Sequence, residues 1–238
     1  MDVKINYNMD GARNAEGLAV IVDIFRASSI QSYLLEHGAR EIVLSKTRDM
    51  ALEGASKPSI VRSFAIGDKL LESSIVLPNS LYNLEKRISD IHGSIIHHYS
   101  ENGVNGILEA SRTADSVISA CFLNHNAVVN YIHYVNPKKV TIVAMGEFGT
   151  MSVDDFYYVE LLKDSLSGKN VSPKMYVDKI QNERYLLFGG PEELFGKTLP
   201  ELLTKFYSEL GKKDMNLMLN YDAGYSAVPK LMNGRLYG

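Results

Sequence analysis

An aspartate and an arginine, three residues apart, follow the first strongly apolar segment of the chain. The segment is 18–22, and the two residues are Asp23 and Arg26. A carboxylate in that position must meet water, a metal ion or a polar partner, because burying an unpaired charge is costly. Arginine binds phosphate oxygens through paired N–H groups, and aspartate binds divalent cations. The spacing indicates a site for an anion and a cation, and a structural Asp23–Arg26 ion pair is the alternative.

Two serines continue this segment into a predicted helix. Ser28 and Ser29 lie in its first turn, where backbone N–H groups have no partner within the helix. Such groups can bind an anion, so we expect the two serines to contribute to substrate binding. Serine is also a common helix cap, and a capping role for Ser28 is the alternative.

Polar loops also follow later predicted strands. Asn79 and Ser80 follow one strand and open a helix, and Asn102 and Gly103 form a turn after another. In an open α/β sheet, ligands bind outside the carboxyl ends of the strands. We therefore expect both loops to contribute to a binding site.

A further loop begins at Gly146 and contains Gly149, and both glycines permit a close approach of backbone to a ligand. Ser152 is a natural N-cap, which places Asp154 and Asp155 in the first turn of a helix. The helix dipole favours carboxylates there. The two aspartates therefore either stabilise the helix start or bind a metal ion.

Short apolar strands and amphipathic helices alternate to position these loops. The pattern predicts strands at 18–24, 41–44, 74–77, 94–98, 116–120 and 140–145, and helices at 27–36, 47–55, 102–111, 124–134 and 152–166. Beyond Gly168 it predicts a strand at 185–188 and helices at 191–210 and 215–221. This alternation predicts an α/β fold with a largely parallel sheet and a helical C-terminal part. We expect one domain over 1–238, and a sub-lobe boundary near 167–173 is the alternative to a long loop there.

Composition narrows the function classes. The 238 residues carry 25 Lys+Arg against 28 Asp+Glu, a net charge of -3, which argues against a general nucleic-acid binder but not against a small anionic ligand. No apolar run is long enough to span a bilayer or form a signal peptide, so we expect a cytoplasmic protein that does not bind membranes. Cys121 is the one cysteine, and its apolar neighbours predict a buried, unreactive side chain. A homodimer is the default expectation for such an enzyme.

Six motifs, in the same order, resemble those of the 2-phosphosulfolactate phosphatase family. Residues 23–29 resemble its Asp-x-x-Arg-Ala-Thr/Ser signature, Asn79-Ser80 its Gly/Ser-Asn-Ser-Pro segment, and Asn102-Gly103 its Thr-Thr-Asn-Gly-Thr loop. Residues 124–128, 146–155 and 227–236 resemble its Asn-x-x-Ala-Val, Gly-x-x-Gly-x-x-Ser-x-Glu/Asp-Asp and closing Val-Pro-x-x-x-x-Gly-x-Leu elements. The resemblance covers most of the chain.

The resemblance implies a magnesium-dependent phosphatase that hydrolyses 2-phosphosulfolactate to sulfolactate and phosphate, a step toward coenzyme M. It also implies a three-layer α/β/α fold with a parallel or mixed sheet and two lobes. On this basis, Asp23 and Arg26 are the candidate catalytic residues, and Asp23, Asp154 and Asp155 are the candidate Mg²⁺ ligands. The candidate substrate-binding residues are Ser28, Ser29, Asn79, Ser80, Asn102, Gly103, Gly146 and Gly149.

Some positions depart from the family pattern. The family's Gly-Glu-Arg segment corresponds in our interpretation to 60–65, which contains Arg62 but no glutamate. Glu101 stands where the family has a threonine, and we expect its charge to repel a bound anion. These departures favour an alternative in which the chain has lost catalysis and binds a small anion as a sensor or partner module. A third reading is an α/β protein whose polar loops only cap helices.

Overall fold

A computed structural model describes residues 1–71, 73–146, 150–188 and 208–238. Its centre is a sheet of nine described strands with helices on both sides, which confirms the predicted α/β fold. The strands are Asp2–Tyr7 (β1), Leu18–Val22 (β2), Glu41–Leu44 (β3), Ser63–Gly67 (β4), Ile95–Tyr99 (β5), Ser116–Ser119 (β6), Lys139–Ala144 (β7), Lys230–Met232 (β8) and Arg235–Tyr237 (β9).

Ten described α-helices flank or connect these strands. They are Asn8–Arg13 (α1), Ala27–Glu36 (α2), Arg48–Ser56 (α3), Leu81–Leu84 (α4), Ile88–Ile91 (α5), Gly103–Ala110 (α6), His125–Val135 (α7), Val153–Leu166 (α8), Pro173–Phe188 (α9) and Glu209–Met218 (α10). Short 3₁₀ turns lie at Glu85–Arg87 and Phe122–Asn124. Across the described residues, no helix combines the length and the apolar composition needed to cross a bilayer.

The sheet joins two groups of parallel strands through an antiparallel hairpin. The strand order is β1-β7-β2-β6-β8-β9-β3-β5-β4. Strands β1, β7, β2 and β6 are parallel, and so are β3, β5 and β4. The hairpin β8–β9 pairs antiparallel with β6 on one side and β3 on the other. At its turn, Asn233 and Gly234 both have positive φ, as the favoured two-residue hairpin turns require.

The parallel strands of the sheet carry apolar side chains on both of their faces. All five residues of β2 are buried, which is typical of a strand covered by helices on both faces. In the core beside it, the rings of Phe122 and Tyr158 meet edge to face at 4.9 Å. Cys121 is also fully buried, as predicted. This packing fixes the carboxyl ends of the strands, from which the polar loops emerge.

The helices and strands predicted between 18 and 36, and between 94 and 166, agree with the structure to within two residues at each end. The predicted strand at 74–77 is wrong, because this segment makes only isolated bridges through Val76. The predicted strand at 185–188 is also wrong, because these residues end helix α9; a short apolar run does not distinguish a strand from a helix. Most of the predicted helix at 191–210 lies outside the described residues.

Four strands and three helices were not predicted at all: β1, β4, β8, β9, α1, α5 and α9. The helix predicted at 215–221 lies earlier, as α10. Residues 167–172 form the connection between α8 and α9, which pack against each other. Whether this connection divides the chain into lobes stays a prediction.

Candidate active site

The loops that follow β2, β4, β5 and β7 meet around Asp23, the residue directly after β2. Its carboxylate is only 7% exposed. The backbone N–H of Ala27 donates to Asp23 Oδ1 at 3.3 Å, and the N–H of Gly103 also donates to this side chain. Asp23 therefore accepts hydrogen bonds from the starts of two helices, α2 and α6.

Gly103 allows helix α6 to approach this carboxylate. A Cβ atom at this position would lie 2.5 Å from the Cβ of Ala27 and 2.7 Å from Asp23 Oδ2. Both distances are shorter than real Cβ atoms tolerate, so a larger residue would push α6 away from β2. Gly103 thus has a steric role at this carboxylate, and its role in substrate binding stays a prediction.

Asp155 joins two of the loops. Its Oδ1 accepts the N–H of Ile24 at 2.8 Å, and its Oδ2 accepts the N–H of Gly146 at 2.9 Å. Asn102 adds a third loop by donating from Nδ2 to the Gly146 carbonyl at 3.2 Å. Gly146 has φ +63°, and a Cβ there would lie 2.0 Å from the Thr150 carbonyl oxygen. These bonds hold the loops after β2, β5 and β7 together, and the predicted Gly149 lies outside the described residues.

Ser28 and Ser29 are buried, and their hydroxyls bond to the main chain. The Ser28 hydroxyl donates to the Ile21 carbonyl at 3.3 Å and accepts the Asp23 N–H at 3.0 Å. The Ser29 hydroxyl donates to the Ile24 carbonyl at 2.8 Å. The hydroxyls therefore secure the turn from β2 into α2, but Ser28 does not cap the helix, whose N-cap is Arg26 without a side-chain cap bond. The role of the two serines in substrate binding stays a prediction.

Ser80 caps helix α4 and contacts a residue from the far end of the chain. Its hydroxyl donates to Asp214 Oδ1 at 2.8 Å, and the N–H of Tyr82 donates to the same oxygen at 3.0 Å. Asp214 lies on α10 and is 1% exposed. Burial raises the pKa of Asp214, although these donors and the charge of Arg26 oppose the shift. No local sequence signal distinguishes Asp214 from other polar helix residues.

Asp68 is the main site residue that the sequence interpretation missed. It follows β4, and its Oδ1 accepts the Asn79 side-chain N–H at 3.2 Å. Its Oδ2 accepts the Glu101 backbone N–H at 3.2 Å. Asp68 therefore connects the loop containing Asn79 with the loop containing Asn102, close enough to Asp23 to raise the pKa of that carboxyl group.

The position of Asp68 corrects the interpretation of 60–65. Arg62 lies before β4, where it pairs with Asp90 and donates to the carbonyl oxygens of Ser89 and His92. Gly67-Asp68-Lys69, at the end of β4, instead presents a glycine, an acid and a base in the order of the family's Gly-Glu-Arg segment. The signal was present in the sequence, but the strand before it had not been predicted.

Lys69 compensates the charge of Glu101. Its Nζ lies 2.9 Å from Glu101 Oε1, and this pairing raises the pKa of Lys69. Both side chains are largely exposed, at 62% and 42%, so the pair itself contributes little to stability. The expected repulsion between Glu101 and a bound anion is therefore reduced by a neighbouring cation.

Crowded carboxylates dominate the electrostatics of the site. Burial and the charges of Asp68 and Asp154 together raise the pKa of Asp23 to about 7, against the opposing effect of the N–H donors. Burial also raises the pKa of Asp155 well above its usual range, together with the charges of Asp154 and Asp23. Asp154 is 1% exposed. A divalent cation, or a phosphate bound together with its metal ion, would stabilise several buried carboxylates that lie close together.

Whether the carboxylates bind Mg²⁺ stays a prediction, and the possible ligand sets are small. Among the described residues, no three His, Cys, Asp or Glu side chains lie close enough to hold one ion. Mg²⁺ usually takes only one or two protein carboxylates and completes its shell with water and substrate phosphate. Asp23 with Asp154 or Asp68 can supply such a pair. Both oxygens of Asp155 accept a backbone N–H group and each keeps a further lone pair, so its role as a ligand stays a prediction.

The α/β fold places a buried group of carboxylates at the carboxyl ends of its strands, where ligands of such sheets bind. The model of the 2-phosphosulpholactate phosphatase family matches residues 5–183. The chain belongs to this family.

Several curated proteins are similar to it and carry the description "Probable 2-phosphosulfolactate phosphatase". The protein from Thermotoga petrophila is 27% identical over 221 residues, 91% of this chain and 89% of its own. The protein from Caldanaerobacter subterraneus is 26% identical over 90% of this chain and 88% of its own. The protein from Deinococcus radiodurans is 26% identical over 152 residues, so the match spans only 61% of that protein.

Proposed function

We propose that this protein is a magnesium-dependent phosphatase that hydrolyses a small phosphorylated acid, 2-phosphosulfolactate, to sulfolactate and phosphate. The observation that carries the proposal is the buried Asp23, held by N–H groups of α2 and α6 and surrounded by Asp68 and Asp154. This arrangement lies in a chain of the matching family. A buried carboxylate with a pKa raised by its neighbours is typical of a functional site.

Arg26 is the residue best placed to bind the phosphate. It precedes α2, is half-buried, and its guanidinium carbon lies 5.1 Å from the centre of the Phe25 ring. Among the described residues it makes no ion pair within 4.0 Å, so its N–H groups are available to an anion. Arginine binds phosphate through two parallel hydrogen bonds, which orient the group as well as attract it.

Asp23 and Asp154 would hold Mg²⁺, with Asp68 beside them. When bound, the ion would neutralise charge that develops on the phosphate. Asp155, Asn102 and Gly146 then have a positioning role, because they fix the loops that carry these groups. We assign Ser28 and Ser29 to the support of the turn that presents Asp23 and Arg26.

The test is phosphate release from 2-phosphosulfolactate by the purified chain, with Mg²⁺ and with EDTA. Asp23→Asn should lower turnover at least about 100-fold, because it removes the central carboxylate. Asp222→Asn is the matched control, since it removes an exposed aspartate elsewhere and should leave turnover unchanged. Full activity in EDTA would refute the magnesium dependence, and full activity in Asp23→Asn would refute the site.

One outcome would favour the alternative of an anion-binding module without catalysis. If no ester is hydrolysed but sulfolactate or phosphate raises the melting temperature, the chain binds the anion in its folded state only. We propose in addition that the protein is cytoplasmic, that it acts on the route to coenzyme M and that it forms a homodimer. Size-exclusion chromatography with light scattering tests the homodimer directly.

A further inference from the structure

Asp214 is a buried carboxylate that lies far in sequence from the loops of the site, yet it bonds to one of them. It belongs to helix α10 and is 1% exposed. Its Oδ1 accepts the Ser80 hydroxyl at 2.8 Å and the Tyr82 N–H at 3.0 Å. The N–H of Leu81 also donates to this side chain. Three donors at 80–82 therefore converge on one carboxylate from the last helix that the structure describes.

Capping of helix α4 does not by itself explain this carboxylate. Ser80 already caps the helix, because its hydroxyl accepts the Asn83 N–H at 3.3 Å. A buried aspartate costs free energy unless hydrogen bonds or an opposite charge compensate it. Asp214 has both, since the charge of Arg26 acts on it favourably. Hydrogen bonds to a carboxylate are roughly twice as strong as neutral ones, so Asp214 holds 80–82 more firmly than the cap alone.

The residue before Ser80 connects this contact with the carboxylates of the site. Asn79 donates from Nδ2 to Asp68 Oδ1 at 3.2 Å. The charges of Asp68 and Asp23 repel each other, because the charge of Asp68 raises the pKa of Asp23. Without a restraint, the Asp68 side chain would turn away from Asp23 towards water. Hydrogen bonds and one peptide bond therefore link Asp214 with the restraint on Asp68.

We propose that Asp214 is a positioning residue for the reaction, which holds the loop of Asn79 against Asp68. The inference rests on the proposed function, because it treats Asp68 and Asp23 as part of a phosphatase site. It makes turnover depend on helix α10, a part of the chain in which sequence reasoning found no site residue.

The test measures kcat/KM for 2-phosphosulfolactate in variants of α10. Asp214→Ala should lower it about 10-fold, because the loop loses its hydrogen bonds to a charged group. Asp214→Asn should keep most of the activity, since its amide oxygen can still accept the Ser80 hydroxyl. Lys213→Ala is the matched control on the same helix. It removes an ammonium group that lies 4.8 Å from the centre of the Tyr82 ring, and it should leave kcat/KM unchanged.

A double-mutant cycle separates positioning from a general loss of stability. If Asp214 acts through the loop, adding Asp214→Ala to Asn79→Ala should change kcat/KM less than about twofold. Losses that multiply, or an equal loss in Lys213→Ala, overturn the proposal. Ser80→Ala keeps α10 intact and should reproduce the loss in Asp214→Ala, and normal activity in Ser80→Ala overturns the proposal as well. Ser80→Ala also takes the place of Asp214→Ala in the cycle if the latter does not fold.

The two proposals fail in different ways. Normal activity in Asp214→Ala overturns the positioning role while phosphatase activity stands. If the unsubstituted protein releases no phosphate, the proposed function fails, and the same cycle is measured by urea unfolding. Losses of unfolding free energy in Asp214→Ala and Asn79→Ala that fall short of additive support the restraint, and additive losses overturn it.

Discussion

The clearest physical test of the site is the effect of Asp23→Asn on how stability depends on pH. Asp23 has a pKa of about 7 in the folded chain, against 3.8 for an unperturbed aspartate. Between these two values the folded protein holds a proton that the unfolded chain has released. Its free energy of unfolding must therefore fall as the pH rises through this window, and level off above about 7. Asparagine removes the titration but keeps the shape of the side chain.

The magnitude follows from the two pKa values. A pKa difference of one corresponds to about 1.4 kcal/mol, so the step from 3.8 to about 7 corresponds to about 4 kcal/mol in all. Between pH 5 and pH 8, about 3 kcal/mol of this is lost. In Asp23→Asn the fall in stability over this range should be smaller by about that amount. Asp155 titrates in the same direction in both proteins, and loss of the Asp23 charge in the variant lowers its pKa, which changes the difference in the same sense.

The assay is urea unfolding of both proteins at pH 5 and pH 8 in EDTA, so that no divalent cation compensates the carboxylates. The expected result is a variant that is more stable than the parent at pH 8 and similar to it at pH 5. If the variant is destabilised equally at both pH values, Asp23 is not a strained carboxylate, and the electrostatic description of the site is wrong. Asp222→Asn should reproduce the parent at both pH values.

Four further substitutions test the geometry. Asp155→Ala should lower stability by about 2–4 kcal/mol, because two buried backbone N–H groups lose their acceptor; an unchanged melting temperature would contradict this. Ser28→Ala should cost about 1 kcal/mol in stability with KM unchanged, whereas a rise in KM without a loss of stability would show that its hydroxyl binds substrate. Gly103→Ala should lower both melting temperature and turnover, by about 1–3 kcal/mol in stability, and normal stability would show that α6 can shift. Glu101→Gln should release Lys69 and lower KM for the phosphorylated acid about two- to fivefold, and a higher KM would show that Glu101 helps binding.

Local patterns were enough to find Asp23 and the ends of β2, β5 and β7. Buried parallel strands are nearly continuous apolar runs, and a polar residue at the end of such a run is visible without knowledge of the fold. The same local pattern did not decide the role of Ser28, because a helix start can use a hydroxyl for its own backbone or for a ligand. The bonds that the Ser28 hydroxyl makes to the Asp23 N–H and the Ile21 carbonyl depend on the whole fold, so the sequence pattern could not predict them.

The residues that sequence reasoning missed depend on contacts distant in the chain. Strand β4 is short and contains one polar and one glycine residue, so a neighbouring apolar run at 74–77 was taken for the strand, and Asp68 was overlooked. Asp214 meets Ser80 across 134 residues of sequence. No periodicity predicts such a contact, since it arises only when α10 packs beside α4.

The hairpin β8–β9 has a consequence for how the chain reaches its folded state. It is the only described connection in the strand order between the four-stranded and three-stranded groups, and it is formed by residues 230–237. Arg235 and Tyr237 also bond to Glu41 on β3. During synthesis, both groups can assemble from earlier residues, but the sheet cannot close until these late residues have left the ribosome. Pairing strands so far apart in sequence is slow, so we expect the hairpin to join the two groups of strands late in folding.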